Sequence, residues 1–167
     1  MNTIIIIAAF VLAIYVAVVI AVNKQIPNSL SESVYYFPTK GQWLWTAVIA
    51  TVALCTIPPF VSKTIPAIQW MAFLACAALA FVAVCPLMGK PGNPDNGDGT
   101  YSVHMGAAIA CGVLSQICVT VTNPWFLLAW VPWLVAFVWI TKDGKWHTAM
   151  FWAEMTCFIS VFIFGLL

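Results

Sequence analysis

TIIIIAAFVLAIYVAVVIAV, residues 3–22, runs for twenty residues without a charged side chain. An apolar helix of about 20 residues crosses the roughly 30 Å hydrocarbon core of a bilayer. Five more mainly apolar stretches follow, at residues 42–60, 65–88, 103–121, 125–140 and 148–167. The sequence therefore predicts an all-α fold, a polytopic integral membrane bundle of six transmembrane helices with short loops, as one domain over residues 1–167.

The composition excludes most other classes of protein. Hydrophobic residues make up 63% of the 167 residues and charged residues only 7%, whereas an ordinary soluble domain is about 25% charged. The net charge is +1, arginine is absent and no basic run occurs. Because nucleic-acid binding needs a basic surface, we expect no nucleic-acid partner, and membrane lipids are the expected surroundings.

Prolines and turn residues indicate where helices end. Pro58-Pro59 removes two backbone donors and is expected to end or sharply bend the second helix. Pro132 falls inside the fifth stretch, so a kink is expected there. Residues 89–102 are rich in Gly, Asn, Asp and Pro, which predicts a solvent loop.

Six tryptophans fall near predicted helix ends, where indole rings prefer the membrane interface. They are Trp43, Trp45, Trp70, Trp125, Trp139 and Trp146. We predict that all six are interfacial anchors, which agrees with the predicted helix boundaries.

Lysines indicate the orientation in the membrane. Six helices place loops 1, 3 and 5 on one face, here called the odd-loop face, and both termini on the other face. Five of the six lysines lie on the odd-loop face, and Lys63 lies opposite. Because positive residues favour the cytoplasmic side, we expect cytoplasmic odd loops and a location in the plasma membrane or an inner membrane.

Most ionisable and phenolic side chains also lie at the odd-loop face. The candidate ligand-binding or proton-handling residues there are Glu32, Tyr35, Tyr36, Tyr101 and His104. A histidine–carboxylate pair of His104 with Asp98 can move protons, and an ordinary interfacial histidine is the alternative. Loop 1, residues 23–41, is either a lid over the bundle or a plain surface loop.

Glu154 is the acidic residue inside a predicted span, seven residues into the sixth helix and roughly 10 Å below the odd-loop face. A carboxyl group at that depth is costly unless it faces the bundle interior and is paired, hydrated or protonated. Two interpretations stay open. Glu154 is either a functional carboxyl group or a hydrogen-bonded one that only ties helices together.

The fourth predicted helix carries small and weakly polar side chains at three- and four-residue spacing. Below His104 they are Ala108, Cys111, Ser115, Cys118 and Thr122, with Gln116 on an adjacent face. Small residues allow close helix packing in lipid. The stripe is therefore either a packing seam or a narrow polar path in which Ser115 and Gln116 contact a ligand or carry a proton.

No cofactor and no metal site are expected, and no catalytic motif is present. The two histidines are some forty residues apart and the cysteines lack C-x-x-C spacing, so neither set forms a metal-ligand pattern. The cysteines are interpreted as small packing residues. Whether the chain is an enzyme stays open, although the absence of a phosphate loop or nucleophile elbow favours a non-enzyme.

Two short strings carry a resemblance to a known family. They are Ser29-Leu30-Ser31-Glu32 leading to Trp43-Leu44-Trp45, and Val103-His104-Met105-Gly106-Ala107 after a Pro/Asp-rich loop. In this order of features the chain resembles six-pass proteins of the damage-regulated autophagy modulator (DRAM) type and their bacterial relatives. The resemblance implies lipid handling or membrane organisation, with His104 and residues 29–32 as positions of interest. It also implies cytoplasmic termini, in conflict with the lysine count.

Three functions follow as hypotheses. The first is a small membrane protein that binds a lipid-like or small amphiphilic ligand at the odd-loop face. The second is a proton-coupled transporter or channel component that uses Glu154 and His104. The third is a structural subunit of a membrane complex, with a membrane-protein partner or a homo-oligomer.

Overall fold

The computed structural model describes residues 2–84, 97–142 and 146–167, and for residues 39, 97–101 and 146 it describes the backbone alone. Six α-helices lie in these ranges: α1 (Asn2–Asn23), α2 (Trp43–Lys63), α3 (Gln69–Ala83), α4 (Gly97–Thr122), α5 (Trp130–Lys142) and α6 (Ala149–Leu166). With the short 3-10 helices Pro66–Ile68 and Pro124–Ala129, they form six segments long and apolar enough to cross a membrane. The predicted all-α, six-helix membrane fold is confirmed.

The sixth helix occupies the middle of the bundle. Helices α1 to α4 pack in chain order, each against the next, and α6 packs against α1, α2 and α4. Helix α5 packs mainly against α6 and the 3-10 helix before it, and it has no buried residue. Helix α5 is therefore the outermost helix, with most of its apolar surface directed away from the protein.

Aromatic side chains pack the end of the bundle opposite the odd-loop face. The ring of Phe164 in α6 meets Phe60 of α2 edge-on, with centroids 5.8 Å apart, and meets Phe126 in the same way at 5.6 Å. Edge-to-face pairs of this kind stabilise by about 0.5–1.5 kcal/mol beyond the area that they bury. These contacts join α2, α6 and the segment preceding α5 at one end of the bundle.

Pro58-Pro59 was expected to end or sharply bend the second helix, and it does not end it; a bend at this pair stays a prediction. Helix α2 continues through both prolines to Lys63. Pro59 and Phe60 are buried, so packing favours continuing the helix through this turn. The helix ends at Thr64, whose backbone N–H and hydroxyl both donate to the carbonyl of Phe60, at 3.1 Å and 2.8 Å.

Two further boundaries differ from the prediction. Helix α4 begins at Gly97, so residues 97–102 are helical and not part of a solvent loop; residues 89–96 lie outside the described residues. Pro132 is the third residue of α5, because a 3-10 helix precedes it. A proline in a first turn removes no interior helical hydrogen bond of α5, and the predicted kink in the fifth span stays a prediction.

The tryptophan prediction fails at one position. Trp43, Trp70, Trp125 and Trp139 are exposed at helix ends, as interfacial anchors are. Trp45 is only 1% exposed, and its indole N–H donates to the carbonyl of Val82 at 3.3 Å. The side chain of Trp146 is outside the described part of the chain. Trp45 therefore belongs to the core between α2 and α3.

A substitution at Gly165 tests the packing of α1 against α6. A Cβ atom at this glycine would lie 3.1 Å from Cδ1 of Ile5, whereas at Gly106 no atom lies within 4 Å. We expect Gly165→Leu to lower the free energy of unfolding by about 1–3 kcal/mol through overpacking, and Gly106→Leu to leave it nearly unchanged. Thermal unfolding of both variants in detergent measures the difference. Equal midpoints for the two variants would contradict the close approach of α1 and α6.

Candidate functional site

A cavity of about 100 Å³ lies between α2, α3, α4 and α6, beneath loop 1. Its wall is mostly apolar and combines small residues with large ones. The small residues include Ala75, Ala108 and Gly112, and the large ones include Trp45, Leu79, Phe158 and Phe162. The cavity exists because several residues of α3 and α4 that face it are small. Large side chains on α2 and α6 form most of the remaining wall.

Glu154 lines this cavity and holds loop 1 against α6. Its Oε2 accepts a hydrogen bond from the backbone N–H of Leu30 in loop 1. The backbone N–H of Phe151 donates to the carbonyl of Asn28 at 3.1 Å, one turn earlier on α6. Loop 1 is thus tied to the first turns of α6 at two points, and the Glu154 carboxyl group lies where loop 1 meets the cavity.

Loop 1 is packed onto the bundle. Leu30, Ser33 and Val34 are at most 2% exposed. The hydroxyl groups of Ser33 and Tyr15 of α1 are hydrogen-bonded at 2.7 Å. The Ser29 hydroxyl oxygen accepts the N–H of Glu32, in the first turn of the 3-10 helix Ser31–Tyr36, at 3.1 Å. Loop 1 is therefore packed against the helices, and its role as a lid stays a prediction.

Two other polar side chains of the cavity wall donate to their own helices, and the Ser31 hydroxyl pairs with that of Ser29 at 3.3 Å. The Thr56 hydroxyl donates to the carbonyl of Val52 at 2.7 Å, and the Ser115 hydroxyl donates to the carbonyl of Gly112 at 3.0 Å. Such bonds within a helix leave the hydroxyl without a donor for a ligand. The strongest polar group at the cavity is therefore the carboxyl group of Glu154, beside Ser31 of loop 1.

Three thiols from three helices line the same cavity. They belong to Cys76 of α3, Cys111 of α4 and Cys157 of α6. Among the described residues, no group of three His, Cys, Asp or Glu side chains is arranged to hold a metal ion. Thiols pack well against apolar matter and donate only weakly, so they extend the apolar wall.

Glu32, Tyr35 and Tyr36 lie outside the cavity lining. All three are partly buried in the 3-10 helix of loop 1. Burial raises the pKa of the Tyr36 phenol, the charge of Glu32 raises it further, and a hydrogen bond with Asn23 opposes the rise. These residues belong to loop 1 outside the cavity lining, where Tyr36 stays a neutral hydrogen-bonding group.

His104 is buried near the start of α4 and also lies outside the cavity lining. Its Nδ1 has no hydrogen-bond partner among the described residues. The side chains of Tyr101 and Asp98, its predicted neighbours, fall outside the described residues. The pairing of His104 with a carboxylate therefore stays a prediction.

Gln116 belongs to a separate polar cluster with Ser160 and Trp130. Its amide nitrogen is 2.9 Å from the Ser160 hydroxyl, and its amide oxygen accepts the Trp130 indole N–H at 3.1 Å. This cluster joins α4, α5 and α6. The structure therefore separates Gln116 from Glu154 and Ser115, which face the cavity.

Sequence reasoning found part of the site. Glu154 and the α4 stripe stood out, because a buried charge and a three- and four-residue spacing are visible in the sequence. Tyr15, Leu30 and Trp45 were missed as site residues, because they look like any apolar helix or loop residue. Within loop 1, the one local sequence pattern that indicates a helical turn is the three-residue spacing of Ser29 and Glu32, which is the spacing of a capping box.

Comparison of the chain with protein-family models, with curated proteins and with solved structures finds no match in any of the three. The resemblance to DRAM-type proteins therefore stays a prediction from short strings. Function is therefore inferred from the geometry of the cavity and of loop 1.

The tie between Glu154 and loop 1 can be tested by a pair of substitutions. Glu154→Leu removes the acceptor of the Leu30 N–H, and an unsatisfied buried donor costs about 1–3 kcal/mol. Glu154→Gln keeps a carbonyl oxygen at the same place. We expect faster hydrogen exchange at Leu30 and faster proteolysis within loop 1 for Glu154→Leu than for Glu154→Gln. Equal protection of loop 1 in both variants would show that this bond does not hold it.

The Gln116 cluster predicts a change in stability that is separate from the cavity. Gln116→Leu leaves the Trp130 indole N–H without its acceptor, and hydrogen bonds between membrane helices contribute about 0.6–2 kcal/mol. We expect a lower thermal midpoint with no change at loop 1 by hydrogen exchange. Thr120→Val, on the same helix, is a control, because the Thr120 hydroxyl donates only to α4 carbonyls, at 2.6 Å and 3.4 Å.

Proposed function

We propose that the protein binds a lipid-like or small amphiphilic molecule at the odd-loop face. The hydrocarbon part lies in the cavity between α2, α3, α4 and α6, and the polar end lies beneath loop 1 at Glu154. The observation that carries the proposal is a mostly apolar cavity with a carboxyl group at its loop-1 end. Membrane lipids and amphiphiles dissolved in the membrane are then the ligands that reach it.

The size of the cavity favours a single hydrocarbon chain. Its volume is about 100 Å³, somewhat below the roughly 150 Å³ of an engineered apolar cavity that holds benzene. The length of the cavity follows from two residues of α6 that line it, Glu154 and Phe162. They are eight residues apart, which corresponds to roughly 12 Å along the helix axis. A narrow space of this length fits part of one chain, and two acyl chains side by side exceed it.

The distribution of polar groups orients such a ligand. Below Glu154, the hydroxyls of Thr56 and Ser115 donate to their own helices, and thiols and apolar side chains make up much of the remaining wall. Binding sites of this kind use a few polar groups to fix orientation and apolar contact for affinity. The head group therefore lies near loop 1 and the chain points towards Phe60 and Phe162.

Loop 1 covers the cavity and would hold the ligand in it. Leu30 and Ser31 line the cavity from above, and Leu30 also donates to Glu154. A head group that bonds to Glu154 lies directly beside the segment that covers it. Ligand binding and the closure of loop 1 are coupled in this arrangement, because both depend on the same carboxyl group.

The two other hypotheses draw less support from the geometry. A proton path through Glu154 and His104 needs a connection between them, and among the described residues His104 is not part of the cavity wall. A structural subunit needs a partner surface; the exposed apolar side of α5 is equally suited to lipid. For orientation, the lysine count still favours cytoplasmic odd loops in a plasma or inner membrane.

Filling the cavity tests the proposal. The protein is placed in phosphatidylcholine nanodiscs with octanol whose chain ends in a photoreactive diazirine, and labelled peptides are located by mass spectrometry. We expect labelling of the cavity-facing part of α6 near Phe162, and competition by unlabelled octanol. Gly112→Leu should abolish this labelling, because the added side chain extends from α4 towards Cys157, whose Sγ would lie 4.0 Å from a Cβ atom there.

Gly106→Leu is the matched control, because the same side chain is added on the same helix where no atom lies within 4 Å. It should label like the wild type. Ala108→Leu, a second substitution in the cavity wall, should reduce labelling again, and thermal midpoints show that the variants are folded. Labelling that cannot be competed, or that survives both cavity substitutions, would reject the proposal.

A further inference from the structure

We infer that the cavity selects amphiphiles whose head group donates hydrogen bonds, with a long-chain primary amine preferred over an alcohol and a fatty-acid anion excluded. This inference rests on the proposed function and adds the chemical class of the ligand to it. It follows from the charges and hydrogen bonds around Glu154.

The cavity wall carries an acidic group and no basic one. Glu154 lines it, and no lysine or histidine does among the described residues. Among the described residues, the cavity wall supplies no counter-charge to a carboxylate at Glu154, and a charge so far from water is stabilised by pairing. A ligand ammonium group supplies that pair. A ligand carboxylate places a like charge beside Glu154, which costs several kcal/mol in an interior site.

The hydrogen bonds point to the same class. Leu30 N–H is the one hydrogen-bond donor that Glu154 has among the described residues, and a carboxylate has about four acceptor positions on its two oxygens. Deeper in the cavity, the hydroxyls of Thr56 and Ser115 donate to their own helices, so towards a ligand they can only accept. At the loop-1 end, the Ser31 hydroxyl already pairs with that of Ser29. The site thus offers acceptors, and its complement is a group that donates.

The ranking of head groups follows from these two points. An ammonium donates three hydrogen bonds and carries the missing charge. A hydroxyl donates one hydrogen bond without charge, so it binds more weakly. A carboxylate has no proton to donate and repels Glu154. A phospholipid is disfavoured both by its anionic phosphate and by its two chains.

Competition against the photoreactive octanol measures this ranking. Its diazirine is at the chain end, far from Glu154, so substitutions at Glu154 do not alter the labelling chemistry. At neutral pH we expect octylamine to displace the probe at a concentration lower by about tenfold or more than octanoate requires. Octanol should fall between them.

In the Glu154→Gln variant, octylamine and octanoate should displace the probe at similar concentrations, so that their ratio is close to one. In the Glu32→Gln variant, the ratio of these concentrations should be the same as in the wild type. Glu32 is the matched control, because it is a carboxylate on the same face outside the cavity wall. Comparing ratios between variants in the same nanodiscs removes any difference in partitioning of the competitors.

The outcomes separate the inference from the proposed function. If octanoate competes as well as octylamine in the wild type while Gly112→Leu still abolishes labelling, the ligand class is wrong and the binding site stands. If no competable labelling occurs, both are overturned. A ratio that favours octylamine equally in the wild type and in a folded Glu154→Gln variant also overturns the inference, because the preference then does not come from Glu154.

Discussion

A polar group inside a membrane has no water to bond to, so it must find its partner within the protein. The arrangement at the odd-loop face follows from this constraint. The Glu154 carboxyl group accepts the N–H of Leu30, and the Tyr15 hydroxyl pairs with Ser33. Loop 1 has to fold down onto the helices to make these bonds. Loop 1, which has the sequence of a polar loop, thereby packs over the odd-loop end of the bundle.

The same constraint explains the second polar cluster. Gln116, Ser160 and Trp130 come from three helices and bond to one another deep in the bundle. Their bonds are internal, so this cluster holds the peripheral helix α5 without offering anything to a ligand. Glu154 differs because a single protein donor reaches it among the described residues, and because a cavity lies beside it. The two polar groups therefore have different consequences.

Local rules were wrong where packing opposed them. Pro58-Pro59 was expected to end or bend the second helix, but the helix continues to Lys63, with Pro59 and Phe60 buried. Trp45 reads as an interfacial anchor, but its ring packs against Tyr15, with centroids 5.7 Å apart, and its N–H reaches Val82. In both cases the residue type sets a preference of a few kcal/mol at most, and contacts with another helix decide the outcome.

The sequence by itself determined the class of fold, because six long apolar stretches have no stable alternative to helices in a membrane. It also singled out Glu154, since a carboxyl group in such a stretch is costly wherever the helices pack. It left open what Glu154 faces. Only the tertiary structure placed Leu30 above it and gathered Ala75, Gly112 and Cys157 around one space. Those neighbours are far apart in the chain, and which faces of α2, α3, α4 and α6 meet depends on packing between helices.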